Sequence, residues 1–192
     1  MTRAAITDVT TLLEATRRGH QPDYLLFWGH HAQPGGAIGK ECLSQWWPCA
    51  FEIEGDRYSS AEHFMMAEKA RLFGDRETRD RILLSPGPSA AKQLGREVRD
   101  FHEATWAASR FEIVVRGNLA KFQQHPTLSA FLAGTADRVL VEASPSDRIW
   151  GIGLAADDPR AVNPEKWRGL NLLGFALMEV RRVLAGVPTR HA

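Results

Sequence analysis

The spacing of apolar residues along the chain divides it into helical and strand-like segments. In four segments the apolar residues recur every three or four positions, which predicts helices over about residues 8–17, 61–73, 108–124 and 171–184. Gly74 and Pro126 stand just beyond the second and third of these segments, where residues that end helices are expected. The chain is therefore predicted to be rich in helix.

Shorter apolar runs predict a small amount of β-structure. The runs at residues 24–28 and 138–142 have the length and composition of strands, and Gly55 lies in the turn of a predicted hairpin over residues 51–58. Strands and helices do not alternate regularly, which argues against a doubly wound parallel sheet. No internal repeat or long linker divides the chain. The pattern predicts one α+β domain over residues 1–192, predominantly helical with a small β-sheet.

Composition and charge limit the classes of function. With 44% hydrophobic and 24% charged residues, the 192-residue chain has the composition of a soluble globular domain. Its formal net charge of +1 is too balanced for binding long nucleic acid through charge alone, although a local basic pocket is compatible with it. The two cysteines, Cys42 and Cys49, are too few for a disulfide framework, and no apolar run has the length of a signal peptide or a membrane span. We expect a cytoplasmic protein without a membrane partner.

Three segments resemble cofactor or metal sites, and each lacks a required feature. Residues 35–40 are rich in glycine, but Glu41 stands where a phosphate-binding loop needs Ser or Thr to hold magnesium. Residues 151–156 match the pattern GxGxxA, but two aspartates and a proline follow at once and leave little room for a helix. His30 and His31 do not stand at zinc-site spacing from the cysteines. We therefore expect no metal and no cofactor.

Glu62 and Lys69 are separated by nearly two helical turns within one predicted helix. Seven residues correspond to about 10 Å along a helix axis and bring the two side chains to the same face. At that distance a carboxylate and an amine do not pair readily, but they can contact two ends of one small ligand. The alternative for Glu62 is a capping box with Ser59, which its spacing alone favours. The alternative for Lys69 is an ordinary solvated lysine.

The chain contains six tryptophans, a large number for one small domain. Two of them, Trp47 and Trp150, lie in segments rich in loop-forming residues. Aromatic faces stack on flat heterocycles, and each stacked base contributes roughly 1–3 kcal/mol in proteins that bind single strands. These two rings are therefore candidates for substrate binding, with a buried anchoring role as the alternative for each.

Several motifs, taken in order along the chain, resemble one known family, the NADAR or YbiA-like family. The resemblance extends from about residue 26 to residue 183 and therefore covers nearly the whole chain. It implies a predominantly helical α+β fold and N-glycosidase chemistry. The motifs are Ser60-Ala61-Glu62-His63 with Lys69, Leu94-Gly95-Arg96, Trp106, Lys121-Phe122, Val141-Glu142-Ala143-Ser144, Asp147 to Gly153, and Asn171-Leu172-Leu173-Gly174 with Met178.

The resemblance also implies roles for particular residues. Glu62, Trp106 and Asp147 match functional positions of the family, and Lys69 is the lysine that would form an imine with an opened ribose. Cleavage of the bond from C1′ to nitrogen builds positive charge on the sugar, which a carboxylate stabilises. Candidate catalytic residues are Glu62, Lys69 and Asp147. Candidate substrate-binding residues are Trp47, Trp106 and Trp150 for the base, and Arg96, Lys121 and Arg148 for a phosphate.

Three functions remain open at this point. The first is hydrolysis of the ribosyl C1′–N bond in a phosphoribosylamino-pyrimidine, an early intermediate of the riboflavin pathway. The second is removal of ADP-ribose from guanine, in which nucleic acid enters only as the modified substrate. The third is a non-catalytic module that binds NAD or ADP-ribose. For either enzyme, attack on C1′ by the lysine and direct attack by water stay open. The expected partner is a small phosphorylated riboside.

Overall fold

Helices dominate the part of the chain that the computed structural model describes, residues 5–31 and 35–186. Seven α-helices and four short strands are present in these residues, which confirms the predicted class of a predominantly helical α+β fold. The helices are α1 (Val9–Arg17), α2 (Ala61–Leu72), α3 (Arg76–Leu83), α4 (Pro88–Arg96), α5 (Glu103–Gln124), α6 (Pro126–Gly134) and α7 (Leu172–Leu184). The strands are β1 (Tyr24–Phe27), β2 (Phe51–Ile53), β3 (Asp56–Tyr58) and β4 (Val139–Glu142).

The chain folds into two compact units. The first comprises Met1–Leu43 and Ala130–Ala192, and the second comprises Ser44–Ser129. The first contains α1, β1, β4 and α7, while the second contains the β2–β3 hairpin and helices α2 to α5. Within the part of the chain that the structure describes, the β-structure accordingly consists of two two-stranded sheets, one in each unit.

In the first unit, β1 and β4 pair in parallel and α7 packs closely on β4. The register places Tyr24 opposite Val139. A Cβ on Gly174 would lie 2.0 Å from the Leu140 carbonyl oxygen, so only glycine permits this approach of helix and strand. Asn171 precedes α7 in the left-handed conformation, with φ of 52°, and its side-chain amide donates to the same carbonyl at 2.8 Å. Asn171 and Gly174 thus join helix to sheet.

In the second unit, α2 is the central element. It packs against α3, α4 and α5, and nine of its residues are buried, including Glu62 and His63. A helix buried on nearly every side lacks the single apolar stripe of a surface helix. Polar side chains on α2 are therefore held inside the protein, where their neighbours determine their chemistry.

Two glycines bring neighbouring helices close to α2. A Cβ on Gly95 of α4 would lie 2.1 Å from the sulfur of Met66, and a Cβ on Gly117 of α5 would lie 2.4 Å from Cδ1 of Phe64. Contacts this short do not occur between a real Cβ and its neighbours. Glycine at these two positions therefore fixes how closely α4 and α5 approach the helix that carries Glu62 and Lys69.

The structure corrects several predicted boundaries and adds helices. The first strand ends at Phe27, and Trp28 is 60% exposed. The long helix α5 begins at Glu103, five residues before the predicted start, and α3, α4 and α6 were not predicted. In α3 only Thr78 and Ile82 are buried, so that helix has no apolar stripe by which the sequence could reveal it. Residues 32–34, which precede the glycine-rich segment 35–40, lie outside the described residues.

Candidate active site

The side-chain amine of Lys69 lies among two aromatic rings and a backbone carbonyl. Its Nζ donates a hydrogen bond of 2.7 Å to the carbonyl oxygen of Gly95 at the end of α4. The same nitrogen is 4.2 Å from the centroid of the Phe101 ring and 5.8 Å from that of Trp106. Rings at these distances attract an ammonium group through the negative charge on their faces. The structure therefore brings Lys69 and Trp106, two residues selected from the sequence, into one cluster.

Burial lowers the pKa of Lys69 below the usual value for lysine. Arg96 lowers it further through like-charge repulsion, whereas Glu103 opposes the shift. Removal of water disfavours the charged ammonium, which is the largest of these effects. A larger fraction of neutral amine is present at neutral pH than in a free lysine, and the neutral amine is the nucleophile. Arg96, which was also selected from the sequence, therefore acts on Lys69 through its charge.

Glu62 lies in the first turn of α2, and the structure contradicts the predicted capping box. The N-cap is Ser60, not Ser59, and its Oγ accepts a hydrogen bond of 3.4 Å from the backbone N–H of His63. Because the helix starts one residue later than the box requires, His63 takes the position assigned to Glu62. Glu62 is instead the second helical residue, and only 2% of its surface is exposed. Its carboxylate is therefore not explained as a cap.

A single continuous helix carries both Glu62 and Lys69. Seven residues of α-helix correspond to about 10 Å along the axis and to nearly two full turns. The predicted placement of both side chains on one face requires such a helix, and α2 runs without interruption from Ala61 to Leu72. The two groups differ in burial, since Glu62 is buried and Lys69 is partly exposed. Their shared catalytic role stays a prediction.

A segment of loop at Ser44 and Gln45 connects α5 to the first turn of α2. Lys121, which has no exposed surface, donates from Nζ to the Ser44 carbonyl at 3.0 Å. Asn118 donates from Nδ2 to Oε1 of Gln45 at 2.7 Å, and the Gln45 carbonyl accepts from the backbone N–H of Glu62 at 3.0 Å. This placement gives Lys121 a structural contact in the core and does not favour the predicted contact with phosphate.

The sequence contained a signal for these hydrogen bonds, which the prediction from residue spacing did not use. Asn118 and Lys121 fall on the core side of α5 with Val114 and Phe122, at intervals of three and four residues. Polar residues at core positions must find hydrogen-bond partners inside the protein.

Trp47 is 9% exposed and thus mostly buried, so its surroundings favour packing over stacking on a base.

Asp147, Arg148 and Trp150 belong to the other unit, in the loop after β4. Oδ1 of Asp147 accepts hydrogen bonds from the backbone N–H groups of Ile149 at 2.9 Å and Trp150 at 2.8 Å. This oxygen therefore shapes the loop that presents Trp150. Arg148 is exposed and Trp150 is partly exposed. Their roles in catalysis or binding stay predictions.

The described residues, 5–31 and 35–186, contain neither a metal-binding cluster nor a membrane-spanning helix. No group of three or more His, Cys, Asp or Glu residues is arranged there to hold a metal ion. Cys42 and Cys49 both lie in buried positions. Over the same ranges, no helix combines the length and the apolar character needed to cross a bilayer.

Comparison with known proteins gives a consistent set of relatives. The family model described as the NADAR domain matches residues 26–185. The chain is 42% identical over 163 residues to N-glycosidase R617 of Acanthamoeba polyphaga mimivirus, a match that covers 82% of this chain and 94% of that protein. It is 31% identical over 139 residues to N-glycosidase YbiA of Escherichia coli, with coverage of 72% and 77%.

A solved structure and a plant protein extend this comparison. The NMR structure of the E. coli protein YbiA matches with a TM-score of 0.69 and 26% identity, covering 90% of this chain and 92% of that one. The chain is also 32% identical over 141 residues to a Zea mays protein named riboflavin biosynthesis protein PYRR, chloroplastic, which covers 69% of this chain and 21% of that protein.

These relationships confirm two expectations from the sequence. The resemblance to the NADAR family is confirmed by the family model, and the likeness to the YbiA structure agrees with the observed helical α+β class. The expected enzyme class, a hydrolase acting on N-glycosyl bonds, is confirmed at the level of the relatives that are named N-glycosidases. On the match over residues 26–185, which is most of its length, the chain belongs to the NADAR family.

Proposed function

We propose that this protein is an N-glycosidase that hydrolyses the C1′–N bond of a phosphoribosylamino-pyrimidine, with Lys69 as the attacking amine. The observation that carries the proposal is the environment of Lys69. Its amine is held on the Gly95 carbonyl, lies beside the Trp106 ring and has a lowered pKa because of burial. An amine in this state attacks the carbon of an imine or aldehyde far more readily than a solvated lysine does.

The reaction proceeds in two exchanges at C1′. In a ribosylamine the sugar ring opens, so that C1′ and the amino nitrogen of the pyrimidine form an imine and the ring oxygen becomes a hydroxyl. The neutral amine of Lys69 adds to C1′, its two N–H protons pass to the amino nitrogen of the pyrimidine, and the aminopyrimidine leaves as a lysine imine forms. Water then hydrolyses the lysine imine, which restores the amine and releases ribose 5-phosphate. One molecule of water is consumed overall, and no oxidant or reductant takes part.

Glu62 is proposed as the carboxylate that transfers protons at C1′ during these exchanges. Its position in the first turn of α2 puts it near the positive end of the helix dipole, where a negative charge is stabilised. If the bond breaks by direct attack of water, the same carboxylate stabilises the positive charge that builds on the sugar. The two routes differ in whether a covalent adduct forms on Lys69.

A phosphorylated riboside is the substrate class best supported by the residues near Lys69. Arg96 is exposed at the end of α4, next to the carbonyl that binds the amine, and a guanidinium group is well suited to a phosphate. One relative is named for riboflavin biosynthesis, which supports a pyrimidine of that pathway as the base. The net charge of +1 favours a small molecule over long nucleic acid.

The test combines product detection with chemical trapping. The purified protein is incubated with the phosphoribosylamino-pyrimidine, and ribose 5-phosphate is measured with and without sodium borohydride. We expect turnover without borohydride and, with it, loss of activity together with a stable pentose phosphate adduct on Lys69 located by mass spectrometry. Lys69→Met should lose the adduct and most of the turnover, because the imine cannot form without the amine.

Lys166→Met is the matched control, because Lys166 is exposed in the other unit and is replaced by the same residue. It should keep both adduct and turnover. Turnover without an adduct would refute the role of Lys69 and favour direct attack by water. Absence of ribose 5-phosphate would refute the substrate. Guanine carrying ADP-ribose is tested in a parallel reaction. Release of ADP-ribose there, without release of ribose 5-phosphate from the first substrate, would assign the second candidate activity. Saturable binding of either compound without any product would indicate a binding module.

A further inference from the structure

Phe101 is a close neighbour of the Lys69 amine that neither the motifs nor the sequence argument assigned. Its ring centroid lies 4.2 Å from Nζ, closer than that of Trp106 at 5.8 Å. The ring also packs edge-on against Phe73, with 5.3 Å between the centroids. Phe101 is 38% exposed, so one part of the ring contacts solvent while another covers the amine. A ring this close removes water from one side of the amine.

The backbone that presents Phe101 is anchored to the end of α2. Asp75 accepts hydrogen bonds from the backbone N–H of Arg99 at 3.0 Å and from its guanidinium at 2.6 Å. The backbone N–H of Asp75 in turn donates to the carbonyl of Ala70, the residue after Lys69. These contacts connect the segment before Phe101 directly to the turn of helix that carries the amine.

The residue before Phe101 adopts an unusual backbone conformation. Asp100 has φ of 53°, in the left-handed region that non-glycine residues rarely occupy. Such a conformation costs free energy and persists only where the surrounding contacts enforce it. Here it turns the chain between the Arg99 anchor and Phe101, and α5 begins two residues after Phe101. The ring is therefore placed over Lys69 by a specific and constrained loop.

We propose that Phe101 is a positioning residue for Lys69, whose ring, held by the Asp75–Arg99 anchor, covers the amine and keeps it on the Gly95 carbonyl. This inference rests on the proposed function of Lys69 as the attacking amine. The covering ring has two opposing effects on that amine. Its face attracts the charged form, whereas its bulk excludes water and thereby disfavours the charged form.

Burial is the largest influence on the pKa of Lys69 and the net shift is downward, so we expect exclusion of water by the ring to outweigh the attraction of its face. The charged groups that act on this amine are Arg96 from α4 and Glu103 from α5, and His102 lies next to Phe101 with its ring 6.5 Å from that of Phe73. None of these three is altered by a substitution at Phe101. A smaller side chain there admits water to Lys69 and leaves the charges unchanged.

The test measures the reactivity of Lys69 as a function of pH without any substrate. Trace acetic anhydride labels each lysine in proportion to its neutral fraction, and mass spectrometry quantifies the label on Lys69. In Phe101→Ala the midpoint should move to higher pH, and labelling at about pH 7 should fall roughly three- to tenfold, since a half-buried lysine has part of the shift known for fully buried ones. Phe101→Leu excludes water without an aromatic face and should stay within about twofold of the wild type.

Leu84→Ala is the matched control for loss of an apolar side chain, because Leu84 is 86% exposed and should leave the profile unchanged. An unchanged profile in Phe101→Ala would overturn the inference, and so would a Leu variant that shifts as far as the Ala variant. Labelling does not depend on the substrate. A shifted profile in a protein that cleaves no N-riboside would therefore support the role of Phe101 and refute the proposed function.

A kinetic measurement on the active enzyme adds a second readout. If Phe101 acts through the amine, Phe101→Ala should lower kcat at neutral pH and move the rising limb of the pH profile of kcat to higher pH, while KM changes little. Phe101→Leu should restore kcat. A change confined to KM would overturn the positioning role, because it would assign the ring to substrate binding alone.

Discussion

Replacement of Gly117 by alanine tests whether the close approach of α5 to α2 holds the candidate site in place. Gly117 lies inside α5, and a Cβ there would be 2.4 Å from Cδ1 and 3.0 Å from Cε1 of Phe64. Phe64 is 1% exposed and lies on α2, two residues after Glu62. The added methyl group must therefore displace either this ring or the helix that carries it.

Two effects of opposite sign determine the magnitude. Alanine favours a helix over glycine by about 1 kcal/mol, which stabilises the variant. Overpacking of a well-filled core costs typically about 1–3 kcal/mol. The Phe64 ring is enclosed by Tyr58 at 5.0 Å and Phe51 at 6.3 Å between centroids, and by the Arg116 guanidinium at 5.2 Å. Because the ring has no free direction to move, we expect a cost in the upper part of this range, about 2–3 kcal/mol, and thus a net loss of about 1–2 kcal/mol.

Urea unfolding of the wild type and Gly117→Ala measures this difference, with the slope against denaturant as a check on two-state behaviour. Gly134→Ala is the matched control, because a Cβ at that helical position meets nothing within 4 Å, and it should be neutral or stabilising. Phe64→Leu in the Gly117→Ala background should recover part of the loss. A Gly117→Ala variant as stable as the wild type would refute the tight packing of α5 on α2.

Two further substitutions test buried polar groups of the second unit. Burial lowers the pKa of His63 below its ordinary value near 6.5. The His63 ring therefore binds a proton more readily in the unfolded chain than in the folded protein, and the protein loses stability as the pH falls below about 6.5. His63→Gln should therefore show a shallower loss between about pH 7 and 5, measured by urea unfolding at each pH, and equal slopes would contradict it. Asn118→Leu leaves Oε1 of Gln45 without its donor and should lower the free energy of unfolding by about 1–3 kcal/mol in the same assay. If the Ser44–Gln45 segment supports the site, Asn118→Leu should also reduce turnover, and full stability with full activity would contradict the network.

The sequence predicted elements that combine a recognisable apolar pattern with residues that end them. The helix that carries Glu62 and Lys69 has apolar residues at roughly helical spacing before Gly74, the hairpin has Gly55 in its turn, and β4 is a short apolar run. The resemblance to the NADAR family came from separate motifs in a fixed order, and the family model confirms it. Helix α3 was missed because it is mostly polar, and the start of α5 was misplaced because its first turn lacks an apolar repeat.

By itself, the sequence determined which residue types stand two turns apart on one helix, and thus that Glu62 and Lys69 share α2. Only the tertiary structure decided what surrounds them. Ser60 became the N-cap, which removed the capping explanation for Glu62, and Phe101 came to cover Lys69 through contacts between residues distant in sequence. The physical reason is that helix formation depends on neighbours three and four residues apart, whereas the burial, pKa and hydrogen bonds of a side chain depend on which other elements pack against it.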